Sequence, residues 1–328
     1  SPISAVAFSC RLQCCLTTYL QDLYDANPVL KSGQLPKVSM YRTYSTREVA
    51  QMWNISESTV KRWTEAGDLD CQRTPGGHRR FHLGDIRRFQ EARGFEANGL
   101  LTTEKWTDPH VEDVLNRMDL QSVQGQVRYL AARNQRRQIE QLLMRLYLRG
   151  ISLANLYDNV LLSVLKSVGD ALSSGDLSRG QAEIIRVNIE TATDYFFPKT
   201  VSKATNGKLA LCASPARSER FVVNATARVL EVEGWEVLNL GDAIPFRTMA
   251  DIVEQEPINL VCVFWGEAST EFTAADIEPL KLAVQSYRLP FVRIGSPLLL
   301  REEIGGADRF TFPDLNSLRN FLNAASRS

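Results

Sequence analysis

The chain has 328 residues, 44% hydrophobic and 23% charged, which is ordinary globular usage and excludes a disordered chain, a collagen-like chain and a coiled-coil rod. At about 100–200 residues per domain, this length predicts two or three domains. Lys+Arg and Asp+Glu number 38 each, a zero net charge that alone argues against a nucleic-acid partner, although the average conceals a polarised distribution.

Residues 1–40 read as a weakly structured N-terminal arm. Leu12–Tyr24 allows one amphipathic helix, and Asn27-Pro28, Ser32-Gly33 and Leu35-Pro36 are breakers. Ile3–Phe8 is apolar but has no basic residue before it, so no signal peptide is expected. No apolar run in the chain nears the roughly 20 residues of a membrane span.

Residues 41–95 form a compact basic unit. Ser45-Thr46-Arg47-Glu48 is a capping box opening a helix through Trp53. After the turn at Asn54-Ile55, Ser56 caps a second helix that stops at Gly67. Two short helices around a tight turn are a helix-turn-helix pattern. Leu69–Arg73 and His78–His82 then read as strands around Thr74-Pro75-Gly76-Gly77, and a third helix is expected over Asp85–Arg93.

Residues 96–123 read as a linker, and 124–205 as an all-helical bundle. Val127, Leu130, Leu142, Leu146, Leu153, Val160, Val164 and Val168 recur at helical spacing, with breaks at Gly150, Ser173-Ser174-Gly175 and Pro198. Residues 206–328 alternate strand and helix. Expected strands are Leu209–Ala213, Trp235–Leu240, Leu260–Trp265, Phe291–Ile294 and Arg309–Phe312; expected helices are Ser218–Glu233, Thr248–Glu254, Ala274–Tyr287 and Leu315–Ala324. Short apolar strands separated by helices predict a five-stranded, flavodoxin-like parallel sheet covered on both faces, a Rossmann-like α/β domain.

Chemistry narrows along the same map. The three histidines are His78, His82 and His110, so the C-terminal two-thirds has no imidazole for a triad, a zinc site or a haem. Cys10, Cys14, Cys15, Cys71, Cys212 and Cys262 lack zinc-ribbon spacing. Cys212 and Cys262 sit in apolar runs as small buried hydrophobes, and a reduced cytoplasmic protein fits best. No metal and no catalytic residue is expected.

Residues 41–93 carry ten basic against seven acidic side chains, a net of +3, whereas 12 basic face 16 acidic from Lys208 onward, a net of −4. A basic head on an acidic body suits a DNA reader fused to a sensing or assembly module. In the second helix Ser58, Thr59, Lys61 and Arg62 are the outward candidates for major-groove contact. In the hairpin Arg73, His78, Arg79 and Arg80 are candidates for phosphate contact. The blander alternative is a small helical domain with a solvated charged face. A homodimer on duplex DNA is expected because one helix-turn-helix makes a small footprint.

Ser45–Phe89, most tightly Thr74-Pro75-Gly76-Gly77-His78-Arg79-Arg80-Phe81, resembles the excisionase-type winged helix-turn-helix of the MerR superfamily. The resemblance covers about fifty residues and implies DNA binding, usually as a dimer on repeated half-sites. Residues Gln124–Ala324 resemble the cobalamin-binding region of methionine synthase type found in light-sensing MerR-like repressors. That likeness rests on Trp235-Glu236-Val237-Leu238-Asn239-Leu240-Gly241, Val168-Gly169-Asp170 and Gly175-Asp176-Leu177-Ser178.

The ligand chemistry that this resemblance implies departs at each position. An acidic-x-His-x-x-Gly loop is expected to supply the cobalt ligand, but here Glu219 keeps the acid, Phe221 replaces the His and Asn224 replaces the Gly. Trp265 stands where the tail pocket needs small residues, and a later Gly-Gly is Gly295-Ser296. The Trp, nine residues, then Glu-His that caps the cofactor aligns with Leu172, Ala182 and Glu183. The expectation is a transcriptional regulator that no longer takes cobalamin and carries no cofactor, its body serving oligomerisation, a protein partner or another small ligand. Ser214, Arg217, Ser218, Asp242, Glu267, Ser269 and Ser296 could line the crevice for such a ligand. The alternatives are a light-sensing repressor that binds cobalamin without a protein His, an excisionase-like DNA-bending factor, and a corrinoid-dependent enzyme, which the missing His disfavours.

Overall fold

A computed structural model describes residues 43–94, 119–196, 206–264, 272–294 and 309–325. The expected arm, most of the expected linker, and Trp265, Glu267, Ser269, Gly295 and Ser296 lie outside the described residues.

The head begins with a two-residue strand β1 (Tyr44–Ser45) leading into α1 (Thr46–Trp53). Ser45 Oγ accepts from Glu48 N at 3.2 Å, and Ser45 N donates to the Glu48 carboxylate at 2.7 Å, so two orphan donors are satisfied reciprocally. Asn54 adopts the left-handed conformation, φ 51°, and turns the chain into α2 (Glu57–Glu65). Strands β2 (Gln72–Arg73) and β3 (Arg79–Phe81) form the wing, and α3 (Leu83–Arg93) closes the head. Gly77 reaches φ +77° at the hairpin tip, where a side chain would be strained. The sheet order is β1-β3-β2, because Ser45 and Gln72 both pair with Arg80 from opposite sides. Val49, Met52, Val60, Leu69, Phe81 and Ile86 are buried beneath it. Trp63 packs against Phe89 with ring centroids 4.7 Å apart and planes tilted by 43°.

The bundle consists of α4 (Leu120–Ala132), α5 (Arg136–Leu148), a third helix in three segments, and α8 (Arg179–Phe196). The third helix runs as α6 (Leu153–Leu156), a π-helical stretch over Tyr157–Leu162, and α7 (Ser163–Ser174). Asp119 caps α4, so the final residues of the expected linker are helical.

The α/β region contains β4 (Leu209–Ala213), α9 (Arg220–Val232), β5 (Glu236–Gly241), α10 (Phe246–Gln255), β6 (Ile258–Phe264), α11 (Ala274–Ser286), β7 (Phe291–Ile294), β8 (Arg309–Phe312) and α12 (Leu315–Ala325). All pairings are parallel, in the order β5-β4-β6-β7-β8. This is the flavodoxin-like arrangement, with its switch point between β4 and β6. Period-two alternation divides the strands between two cores. Ala210, Cys212, Leu260, Cys262 and Val292 face α9, α12 and the bundle, whereas Leu211, Val261 and Val263 face α10 and α11. The fold is therefore a helix-turn-helix head, a helical bundle and a Rossmann-like five-stranded sheet.

The π-helical stretch fastens the bundle to the sheet domain. Asp158 accepts from the backbone N–H groups of Leu315 at 3.1 Å and Asn316 at 2.8 Å, and from Asn316 Nδ2 at 2.7 Å. A bundle carboxylate thus caps the first turn of α12. Burial raises its proton affinity despite these donors. Among the described residues, no helix is long and apolar enough to cross a membrane.

Candidate nucleic-acid interface

Ser56, at the start of α2, holds the polar groups of its first turn together. Its Oγ accepts from Thr59 N at 3.2 Å and lies 2.7 Å from Ser58 Oγ and 2.9 Å from Thr59 Oγ1. Ser58 is exposed and Thr59 half-buried, so short hydroxyls cluster at the positive end of a helix, where anions are favoured. Lys61 and Arg62 follow on the same helix, both exposed.

The wing separates its cations by strand alternation. Phe81 is fully buried, and Arg79, two residues earlier, shares its face. The Arg79 side chain is 13% exposed and donates to Glu65 at the end of α2, at 2.7 Å. Among the wing candidates it alone makes an ion pair with an acid among the described residues, and it ties β3 to α2. Arg80 faces the other way, half-buried, while Arg73 and His78 are exposed.

The same division runs through the whole head. Arg88 pairs with Asp85, Arg93 with Asp68, and Arg87 with Glu91. Lys61, Arg62, Arg73, Arg80 and also Arg47 have no acidic partner within ion-pair distance among the described residues. Arg47, exposed in the first turn of α1, was not singled out from the sequence. The capping box that defines its helix marked the position, two residues after Ser45, which pairs with Arg80 of the wing. Five cations without internal acids, beside a hydroxyl-rich helix start, can bind phosphates and reach base edges.

The crevice at the carboxyl ends of β4 and β5 is arranged differently. Ser218 N and Arg220 Nε donate to the Asp242 carboxylate at 2.9 and 3.1 Å. Partial burial opposes its charge, but Arg220 and the Ser218 N–H outweigh that and hold the carboxyl below its ordinary range. Glu219 is pushed up by burial, with Asp242 adding to the shift. Ser214 is buried, its Oγ accepting from Ala216 N at 3.1 Å, while Arg217 is exposed. Phe221 is 8% exposed and meets Tyr157 of the π-helical stretch edge-on, with centroids 5.8 Å apart. Asn224 accepts from Asn239 at 2.9 Å.

In the bundle Leu172 is exposed and Ala182 buried. Glu183 is exposed and accepts from Arg186 at 3.0 Å, and that hydrogen bond lowers its carboxyl pKa. Trp265 and Gly295, the remaining positions singled out, lie outside the described residues. No group of His, Cys, Asp and Glu among the described residues is arranged to hold a metal ion.

The sequence model of a family described as "Helix-turn-helix domain" matches residues 43–94, so the head is a helix-turn-helix domain from Thr43 to Gly94. None of the curated proteins matches the chain. Similar solved structures include the monomethylamine corrinoid protein of Methanosarcina barkeri, 13% identical over 63% of this chain and 100% of that one, with a TM-score of 0.46. A cobalamin-binding protein from Desulfitobacterium hafniense DCB-2 is 16% identical over 65% of this chain and 96% of its own, with a TM-score of 0.29. The methanol:cobalamin methyltransferase complex of Methanosarcina barkeri is 12% identical over 73% and 92%, with a TM-score of 0.33.

Proposed function

We propose that the chain is a sequence-specific, MerR-like transcriptional regulator, cytoplasmic and non-enzymatic, that reads duplex DNA as a homodimer. The observation that carries this reading is the division of the head's cations. Arg79, Arg87, Arg88 and Arg93 are matched by internal acids, whereas Lys61 and Arg62 on α2, and Arg73 and Arg80 on the wing, have no acidic partner among the described residues. A merely solvated basic face has no reason to place four of its five unmatched cations on the two elements that a winged helix-turn-helix lays against DNA, the fifth being Arg47 in the first turn of α1. Arg62 and Lys61 are assigned to base edges, with Ser58 and Thr59 beside them. Arg73, His78 and Arg80 are assigned to phosphates, and Arg79 to holding the wing.

The second part of the proposal is that the bundle and sheet domain do not take cobalamin by a histidine ligand. The residues present do not fit the group. The histidine position holds Phe221, which has no lone pair and is buried against Tyr157. The upper-face positions are an exposed Leu172, a buried Ala182 and a Glu183 tied to Arg186. No histidine follows residue 110.

The test of the DNA reading is a selection from a random duplex pool with the purified full chain, followed by sequencing. A recurring half-site, present in two copies at fixed spacing, is expected. Retention of DNA without any enriched sequence would reduce the head to a non-specific polycation binder.

A further inference from the structure

Arg87 is one of the head's ten basic residues in sequence, yet its side chain is only 11% exposed and points into the body of the protein. Its Nη1 donates to the carbonyls of Tyr147, at 2.9 Å, and Ile151, and its Nη2 donates to Gly150 O at 3.0 Å. Its Nε binds Glu91 at 2.7 Å, and the guanidinium lies over the Tyr147 ring, 4.4 Å from the centroid. The three carbonyls belong to the end of α5 and the turn that follows. The last carbonyls of a helix have no intrahelical donor and carry the negative end of its dipole. A planar fork of five N–H donors can reach these three carbonyls at once, which an ammonium cannot do in one plane.

The joint has a second, weaker point. Tyr44 on β1 donates its hydroxyl to Met144 Sδ at 2.9 Å, again on α5. Beside Arg87 lies a cleft of about 110 Å³ where α3 (Arg88, Glu91), the start of α6 (Leu153), α9 (Val232) and α12 (Arg319) meet. Head, bundle and sheet domain therefore meet around this cleft, with Arg87 joining the head to the bundle. An apolar patch at such a joint could slide or rotate, whereas three directed hydrogen bonds fix one angle. Buried charged groups are best attested in fixing register.

We infer that Arg87 is a positioning residue for DNA binding: it sets the angle at which the head is presented, and so the half-site spacing that a paired assembly accepts. This rests on the head being a DNA reader that acts in pairs. One base pair of extra spacing rotates a half-site by roughly a tenth of a turn. A fixed head cannot follow that rotation, whereas a loosened head can.

The experiment uses the full chain and its selected half-site. Wild type, Arg87→Met and Arg87→Lys are titrated against a duplex with a single half-site, and against duplexes with two half-sites moved apart in one-base-pair steps. Arg87→Met keeps the stem and removes the donors. Arg87→Lys keeps the charge, and with it the safer fold, but cannot span three carbonyls. All three proteins should bind the single half-site alike. Wild type should lose roughly tenfold or more on a one-base-pair shift, and both variants less than about threefold. Unaltered spacing profiles in both variants would overturn the inference, as would a wild type that binds the single half-site but has no preferred spacing. Failure of wild type to bind even the single half-site would instead overturn the DNA reading on which the inference depends.

Discussion

The head and the crevice of the sheet domain were both marked in the sequence by polar or unusual residues, and the fold treats them in opposite ways. On α2 and the wing, Lys61, Arg62, Arg73 and Arg80 have no internal acid among the described residues. In the crevice, Asp242 is taken up by Ser218 and Arg220, Asn224 by Asn239, and Phe221 by Tyr157. A surface that must meet a charged partner keeps its matching charges open to that partner. In the crevice, the described polar groups Asp242, Ser218, Arg220, Asn224 and Asn239 are bonded to one another, and Phe221 packs against a ring. Residue type alone does not draw this distinction, because both regions are rich in Arg, Ser and Asp.

The comparison can be broken at either end. The largest effect is expected in the scaffold: Phe221→Ala should cost about 3–5 kcal/mol in chemical denaturation, typical of losing a buried ring, while leaving single-half-site DNA affinity unchanged. A small loss of stability would mean that the ring is not structural. In the head the effects should be reversed. Arg62→Ala should leave stability intact and cost about 1–3 kcal/mol of specific binding, with relaxed preference at one base pair. Equal weakening for all sequences would move Arg62 to the phosphates.

Arg80→Ala should weaken every sequence alike and lower the slope of log affinity against log salt by about 1. An unchanged slope would take Arg80 off the DNA. The smallest effect concerns Glu219. Its folded pKa is raised, so its contribution to stability is fully present below the ordinary glutamate range and is lost as pH rises through the folded value. Glu219→Gln should therefore be at least as stable as wild type at pH 7, and this advantage should disappear in acid. Thermal melts across that range decide it, and a variant less stable at pH 7 would give Glu219 a charged partner still to be found.

Much of this was legible in the sequence, for local reasons. Strands β4, β7 and β8 match their apolar runs to the residue, since short buried strands bounded by polar turns leave little choice of register. The capping box at Ser45 and the cap at Ser56 fixed α1 and α2. Helix α10 begins at Phe246, two residues earlier than expected, immediately after Pro245, a start signal that could have been used. The alternation that put Phe81 inside also puts Arg79 inside, but its charge placed it with its outward neighbours.

What the sequence could not show is non-local. The π-helical stretch has ordinary helical spacing of apolar residues, and β1 is two residues long. Nothing near Arg87 distinguishes it from Arg88, because its partners lie about sixty residues away. Phe221 was legible as a missing ligand, but its contact with Tyr157 required the bundle to be in place.

The most direct test of the whole account is a fluorescence anisotropy titration of the full chain on its selected two-half-site duplex, in the dark, with and without saturating adenosylcobalamin. The account predicts tight, salt-sensitive, sequence-specific binding, with the two curves superimposed and no cofactor absorbance co-eluting with the protein. A shift of affinity with adenosylcobalamin would contradict it, and would mean that the crevice around Phe221 still opens to a ligand that reports to the head.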